Sequence, residues 1–105
     1  MSKNKNFIEQ HFYKILAIIK LVEEKGAIRK DLLRKLYQKR MFHNKHTSFD
    51  NLPKGFPGHL GREVKKAAEE LIREGILLTK PTSYGLEVSL NSQKLKEIEE
   101  IIGGG

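Results

Sequence analysis

Apolar residues recur at helical spacing through the first 40 residues. Gly26 stands where glycine commonly ends a helix, so the pattern predicts a first helix over residues 7–25 and a second over residues 28–40. The inward positions of the first helix are Ile8, Phe12, Ile15, Ile19 and Val22, and those of the second are Leu32, Leu33 and Leu36.

The periodicity stops over residues 41–57, MFHNKHTSFDNLPKGFP, where two prolines, a glycine and a polar cluster follow one another. Thr47 or Ser48 can cap a single helical turn through SFDNL. The rest of the segment is predicted to be a loop, and loops of this length in small domains tend to be functional or mobile.

A third helix is predicted over residues 59–74, ending at Gly75. Two strands, ILLTKP and LEVSL, flank the turn TSYG and are predicted to pair as a hairpin. Asn91 or Ser92 then caps a last helix. The order predicts an α+β, mostly helical domain over residues 7–102, with flexible ends at residues 1–6 and 103–105. The apolar face of the third helix holds Leu60, Val64, Ala67, Ala68, Leu71 and Ile72, and that of the last holds Leu95, Ile98, Ile101 and Ile102.

The composition narrows the class of protein. A chain of 105 residues suits a single domain, and no apolar run is long enough to span a membrane. The absence of cysteine excludes disulfides, thiolate metal sites and cysteine nucleophiles. Without a secretory signal, the expected compartment is the cytoplasm. The excess of 11 Glu over 2 Asp favours a thermophile.

The positive charge is concentrated in the middle of the chain. The net charge is +7, to which residues 1–27 contribute +2, residues 28–66 contribute +8 and residues 67–105 contribute −3. Segregation of this kind indicates a polyanionic partner.

The stretch VKKAAEELIREGILLTKPTSYGLEVSL, in which a helix runs directly into a hairpin, resembles the winged helix-turn-helix family, especially its small archaeal members. The resemblance covers roughly residues 7–102. It implies three core helices, a two-stranded wing and a carboxyl-terminal helix, with the third helix entering the major groove of duplex DNA. The function it implies is that of a transcriptional regulator or small nucleoid factor.

The third helix carries the residues that would read DNA. Arg62, Lys66, Glu69 and Arg73 project opposite its apolar face. Arg62 suits a bidentate contact to guanine, whereas Lys66 suits a phosphate. The alternative is that Lys66 pairs with Glu70 on a solvated face. The predicted nucleic-acid contacts are Arg29, Lys30, Arg34, Lys45, Lys54, His59, Arg62, Lys65, Lys66, Lys80, Ser83 and Tyr84.

The turn of the wing has two interpretations. In the family, wing residues contact the backbone or the minor groove, and Lys80, Thr82, Ser83 and Tyr84 suit phosphate contacts. The alternative is a tight turn with Tyr84 folded onto the core.

Two other functions remain open. About 17 residues separate the second and third helices, where a helix-turn-helix usually has three or four. This departure favours an RNA-binding module in which Phe42, Phe49 and Phe56 stack on unpaired bases. A winged helix that binds only proteins is a third possibility.

Metal binding and catalysis are not expected. His43, His46 and His59 lie near Asp50, but a structural zinc site usually brings thiolates. No glycine-rich phosphate loop or nucleophile setting is present, so we expect no cofactor and no enzymatic activity.

The apolar faces of the first and last helices exceed what a small core needs. Ile18, Leu21, Ile98 and Ile102 could form the seam of a homodimer. Alternatively, the two helices cover each other within one chain.

Overall fold

The structure is a computed structural model that describes the backbone of residues 2–103 and the side chains of residues 9–103. The predicted class, α+β and mostly helical, is confirmed. The residues Met1, Gly104 and Gly105, which belong to the ends predicted to be flexible, lie outside the described part. The elements are α1 (Ser2–Gln38), β1 (Thr47–Ser48), α2 (Gly61–Arg73), β2 (Leu77–Thr82), β3 (Gly85–Leu90) and α3 (Leu95–Gly103), with 3₁₀ turns at Phe49–Asn51, Gly58–Leu60 and Ser92–Lys94.

The two predicted amino-terminal helices are one continuous helix. α1 runs for 37 residues through Gly26, so the predicted break there is wrong. Gly26 is not among the residues with positive φ, so its backbone does not adopt the left-handed conformation of a helix end. Glycine in a helix interior costs only about 1 kcal/mol relative to alanine, and without a proline nearby the helix continues.

The core is built by the second half of α1, by α2, the sheet and α3. Leu33 of α1, Val64 and Leu71 of α2, Val88 of β3 and Ile98 of α3 are completely buried. The inward positions predicted for residues 28–40 are therefore confirmed. Residues 9–27 of α1 contribute nothing to this core, because every one of them is exposed.

The predicted hairpin forms, and a third strand joins it. β2 and β3 pair antiparallel with Leu77 opposite Leu90, and the short β1 pairs with the other edge of β3, giving the order β1-β3-β2. Gly85 has a φ of 126°, a conformation that glycine adopts more readily than other residues.

The segment predicted to be a loop is largely folded against the domain. Besides β1 it contains the 3₁₀ turn Phe49–Asn51, and Leu52 within it is buried. The predicted turn through SFDNL begins after Ser48, although no side-chain hydrogen bond caps it. Residues 41–57 therefore belong to the domain and are not a free insertion.

Side-chain hydrogen bonds fix the carboxyl-terminal helix in place. Asn91 caps the turn before α3 by accepting from the Gln93 amide at 3.0 Å, and its own amide donates to the Gly75 carbonyl at 2.8 Å. The Tyr37 hydroxyl donates to the Glu99 carboxylate at 2.8 Å, joining α1 to α3. This bond raises the pKa of Tyr37, because ionisation would place two negative charges side by side.

Candidate nucleic-acid interface

The outer face of α2 carries the cations predicted for it. Val64, Ala67, Ala68 and Leu71 are buried on one side of the helix, as predicted. Arg62, Lys66, Glu69 and Arg73 are exposed on the other. Arg62, Lys65 and Lys66 line one wall of a groove that Asp50, Pro53, Gly61 and Glu69 complete, which we call the α2 groove.

Arg62 and Lys66 are the cations of this groove without an acidic partner. Within the described residues, no carboxylate oxygen lies within 4.0 Å of either side chain. The pairing of Lys66 with Glu70, which would have explained Lys66 without a ligand, is therefore not formed. Their positive charge is available to an anion that enters the groove.

Arg29 is placed differently from the other predicted contacts. Both of its terminal nitrogens donate to the Glu74 carboxylate, one of them at 2.6 Å, and link α1 to the carboxyl end of α2. This bidentate bond raises the pKa of Arg29 and lowers that of Glu74, because each charge stabilises the other. The charge of Arg29 is thus compensated within the chain.

Two further predicted contacts are also paired with acidic residues. Arg34 donates to Asp31 at 2.9 Å, one turn away on α1. Lys65 donates to Asp50 at 3.1 Å and lies 6.0 Å from the centre of the Phe49 ring. Both pairs are half-exposed, so they are weak and an incoming phosphate can compete with the carboxylates.

Lys35 and Lys39 were not among the predicted nucleic-acid contacts, although both belong to the basic surface. Lys35 lies on α1 and Lys39 directly after it; together with Lys54 they line a second groove, the loop groove, which shares the 50–54 segment with the α2 groove. Lys35 donates to the Lys54 carbonyl at 2.5 Å and lies 4.8 Å from the centre of the Phe56 ring. Their shared helical face was a usable signal, since positions four apart face the same way.

The aromatic residues of the 41–57 segment are engaged with the protein. Phe42, Phe49 and Phe56 are partly buried against the core. Phe42 packs edge-on against Tyr37 at 6.2 Å between ring centres, while Lys65 and Lys35 lie over the other two rings. Stacking on unpaired bases would require the rings to leave these contacts.

The tip of the hairpin projects Tyr84 into solvent. The ring of Tyr84 is fully exposed, so the alternative in which it folds onto the core is wrong. The Thr82 hydroxyl closes the turn by donating to the Gly85 carbonyl at 2.8 Å and accepting from the Tyr84 amide at 3.2 Å. Ser83 is exposed beside Tyr84, and Lys80 stands opposite Glu87 in the sheet, although the two side chains do not form an ion pair within 4.0 Å.

The remaining predicted contacts are spread over the surface. Lys45, Lys54 and His59 are exposed in the segment between α1 and α2, and Lys30 is half-exposed on α1. No carboxylate in the described residues lies within 4.0 Å of these three lysines. The part of the chain that the structure describes does not bring three or more histidine or acidic side chains together in a metal-binding group.

The structure contradicts part of the predicted dimer seam. Ile98 is completely buried in the core and Ile102 is partly buried against it, whereas Ile18 and Leu21 are exposed. A seam that includes Ile98 is therefore wrong, and among the described residues the stretch of α1 from Phe12 to Val22 leaves a large apolar face open. Among the described residues, none of the helices combines the length and the apolar composition needed to cross a bilayer. Comparison of the chain with protein-family models, with curated proteins and with solved structures found no match.

Proposed function

We propose that this chain binds double-stranded DNA, as a transcriptional regulator or a small nucleoid factor with a winged-helix domain. α2 enters the major groove with its amino-terminal half, and the loop groove and the hairpin tip contact the phosphate backbone. The observation that carries the proposal is the exposure of Arg62 and Lys66 in the first two turns of α2 without an acidic partner in the described chain.

The electrostatics of α2 support an external anion. The amino end of a helix carries a partial positive charge, so a cation in its first turn is unfavourable by about 0.3–1 kcal/mol. Arg62 is the second residue of α2, and no side chain caps the start of the helix. A phosphate bound there contacts Arg62 and Lys66 together and relieves this unfavourable charge.

The surroundings of α2 extend the positive surface beyond these two residues. Residues of the 50–54 segment line both the α2 groove and the loop groove, so Lys35, Lys39 and Lys54 add positive charge in the neighbourhood of Arg62 and Lys66. Tyr84 at the end of the hairpin adds a hydroxyl that can donate to a phosphate oxygen.

The partial burial of the Phe49 and Phe56 rings favours duplex DNA over single-stranded RNA as the ligand. Recognition of unpaired bases depends on exposed ring faces, and alanine substitution of such a ring loses about 1–3 kcal/mol per base. Here Phe49 and Phe56 are partly buried beneath Lys65 and Lys35. Reading of a duplex needs only the exposed cations and leaves these rings where they are.

The test is a salt titration of binding to random duplex DNA and to structured RNA, measured by fluorescence anisotropy. Each phosphate contact contributes about 0.9 to the slope of log affinity against log salt. We expect the double variant Arg62→Ala, Lys66→Ala to lower the affinity for DNA and to reduce this slope by about 1.8, because two contacts are lost.

The matched control is Lys94→Ala with Lys96→Ala, which removes the same charge from the start of α3 and the turn before it. Both residues lie in the acidic third of the chain. Lys96 is exposed, and Lys94 lies 3.7 Å from the Glu97 carboxylate. The control should leave the slope nearly unchanged. Equal effects of the two double variants, or tighter binding to RNA than to duplex DNA at the same salt, would contradict the proposal.

A further inference from the structure

Residues 12–22 of α1 carry an apolar face that is open to solvent in the part of the chain that the structure describes. Residues 9–27 are all exposed, and the molecule extends 64 Å along its longest axis, compared with 29 Å and 22 Å along the others. A short helix in water is marginally stable unless tertiary packing covers its apolar face. The exposed side chains are Phe12, Tyr13, Ile15, Leu16, Ile18, Ile19, Leu21 and Val22.

Four of these residues form a continuous seam. Phe12, Ile15, Ile19 and Val22 are separated by three, four and three positions, the spacing at which one helix packs along another. Leu16 and Ile18 flank the seam at its middle, one on each side, and the six side chains are between 44% and 62% exposed. Side chains of this size at half exposure offer roughly 600 Å², close to the ~800 Å² that each partner contributes to a standard interface.

The pattern of the segment reads the same in both directions. In FYKILAIIKLV, residues 12–22, every apolar position before Ala17 has an apolar position at the same distance after it, and Lys14 matches Lys20. When a two-fold axis relates two copies of a chain, the same face of each copy forms the interface, so that face must be complementary to itself. An antiparallel pair of helices centred on Ala17 satisfies it.

We propose that a second copy of this chain covers the amino-terminal half of α1 in such an antiparallel pair. Phe12 then packs against Val22 of the second copy, and Ile15 against Ile19 of the second copy. At the flanks Leu16 meets its own equivalent, as does Ile18. A parallel pair instead places Ile18 opposite Glu23 and is less favourable, because an apolar side chain then faces a carboxylate.

The last helix, α3, does not offer the cover that the sequence suggested as an alternative. Ile98 of α3 is completely buried in the core, and Ile101 and Ile102 are already packed against it. The lysines at positions 14 and 20 and Ala17 lie on the outer side of the helix pair, where they remain in solvent. The dimer uses α1 residues 12–22 alone, and it does not depend on DNA binding.

The oligomeric state is the first test. Sedimentation equilibrium should give twice the 12.1 kDa mass of the chain, and Ile15→Glu with Ile19→Glu should return it to 12.1 kDa. The matched control is Tyr13→Glu with Ala17→Glu, which adds the same charges to the same helix outside the seam and should remain dimeric. A monomeric wild-type chain, or loss of the dimer in the control alone, would overturn the proposal.

Cysteine cross-linking tests the direction of the pair, since the chain has no cysteine of its own. In the antiparallel arrangement position 12 lies beside position 22 of the second copy and about 15 Å along the axis from its own equivalent. A disulfide needs Cα atoms within about 7 Å. Phe12→Cys mixed with Val22→Cys should therefore cross-link, whereas each variant alone should not. Cross-linking of either variant alone, or of neither alone nor mixed, refutes the antiparallel pair.

Discussion

Gly26→Ala tests whether α1 is one helix. No heavy atom lies within 4 Å of the position that a Cβ would occupy at Gly26, so the added methyl group meets no obstacle. Alanine is more favourable than glycine in a helix interior by roughly 0.5–1 kcal/mol. The substitution should therefore stabilise the helix around residue 26 by that amount.

The effect is measured by native-state hydrogen exchange of the backbone amides of residues 20–30. A stabilisation of about 0.5–1 kcal/mol slows exchange by about two- to fivefold, since 1.36 kcal/mol corresponds to a factor of ten. Far-UV circular dichroism should show equal or greater helicity.

The sign of the change in stability shows which of two conformations Gly26 adopts. If the helix ended there, with the glycine in the left-handed conformation, alanine would be destabilising by about 1–2 kcal/mol. Gly75 provides the reference, because its φ is 75° and Gly75→Ala should destabilise the domain by a similar amount. A loss at Gly26 comparable to that at Gly75 would refute the continuous helix.

Three further predictions concern stability. Glu74→Gln should lower the free energy of unfolding in urea by up to about 1 kcal/mol at neutral pH, a value limited by solvent screening. Arg29 lowers the pKa of Glu74, so the stabilisation is present above the ordinary pKa of 4.5 and is lost as the pH falls through the lowered pKa. The variant should therefore lose stability less steeply in acid than the wild type. Leu33→Ala should lower the free energy of unfolding by about 2–5 kcal/mol, since the side chain is completely buried; a loss below 1 kcal/mol would argue against that burial. Tyr84→Ala should change the free energy of unfolding by less than about 0.5 kcal/mol in the same assay, and a larger loss would mean that the ring packs on the domain.

The sequence predicted the parts of the fold that have a strong period. The buried face of α2, the hairpin and the cap at Asn91 follow from local spacing and turn chemistry, and all three are present. The break at Gly26 was predicted wrongly because glycine occurs both inside helices and just after them. The conformation at that residue depends on the backbone, which composition alone does not report.

The partners of the predicted site residues were beyond sequence reasoning. Arg29 and Glu74 are 45 positions apart, and Lys65 and Asp50 are 15 apart across a segment without periodicity. The third strand, β1, is only two residues long, too short for an alternating pattern to show. Only the folded chain could separate the paired cations from Arg62 and Lys66.

The distinction between cations with and without an acidic partner accounts for the charge arrangement of α2. Glu74 follows the carboxyl end of the helix, where the dipole disfavours a carboxylate, but Arg29 compensates it within the chain. Lys65 is compensated by Asp50 in the same way. Arg62 has no such partner in the described residues, so its position near the amino end is unfavourable for folding alone.

The double variant Arg62→Ala, Lys66→Ala should accordingly be at least as stable as the wild type, and more stable by up to about 1 kcal/mol, while it loses affinity for DNA. A double variant that is clearly less stable in urea unfolding would show that the two cations serve the fold, and the reason for assigning them to a ligand would disappear.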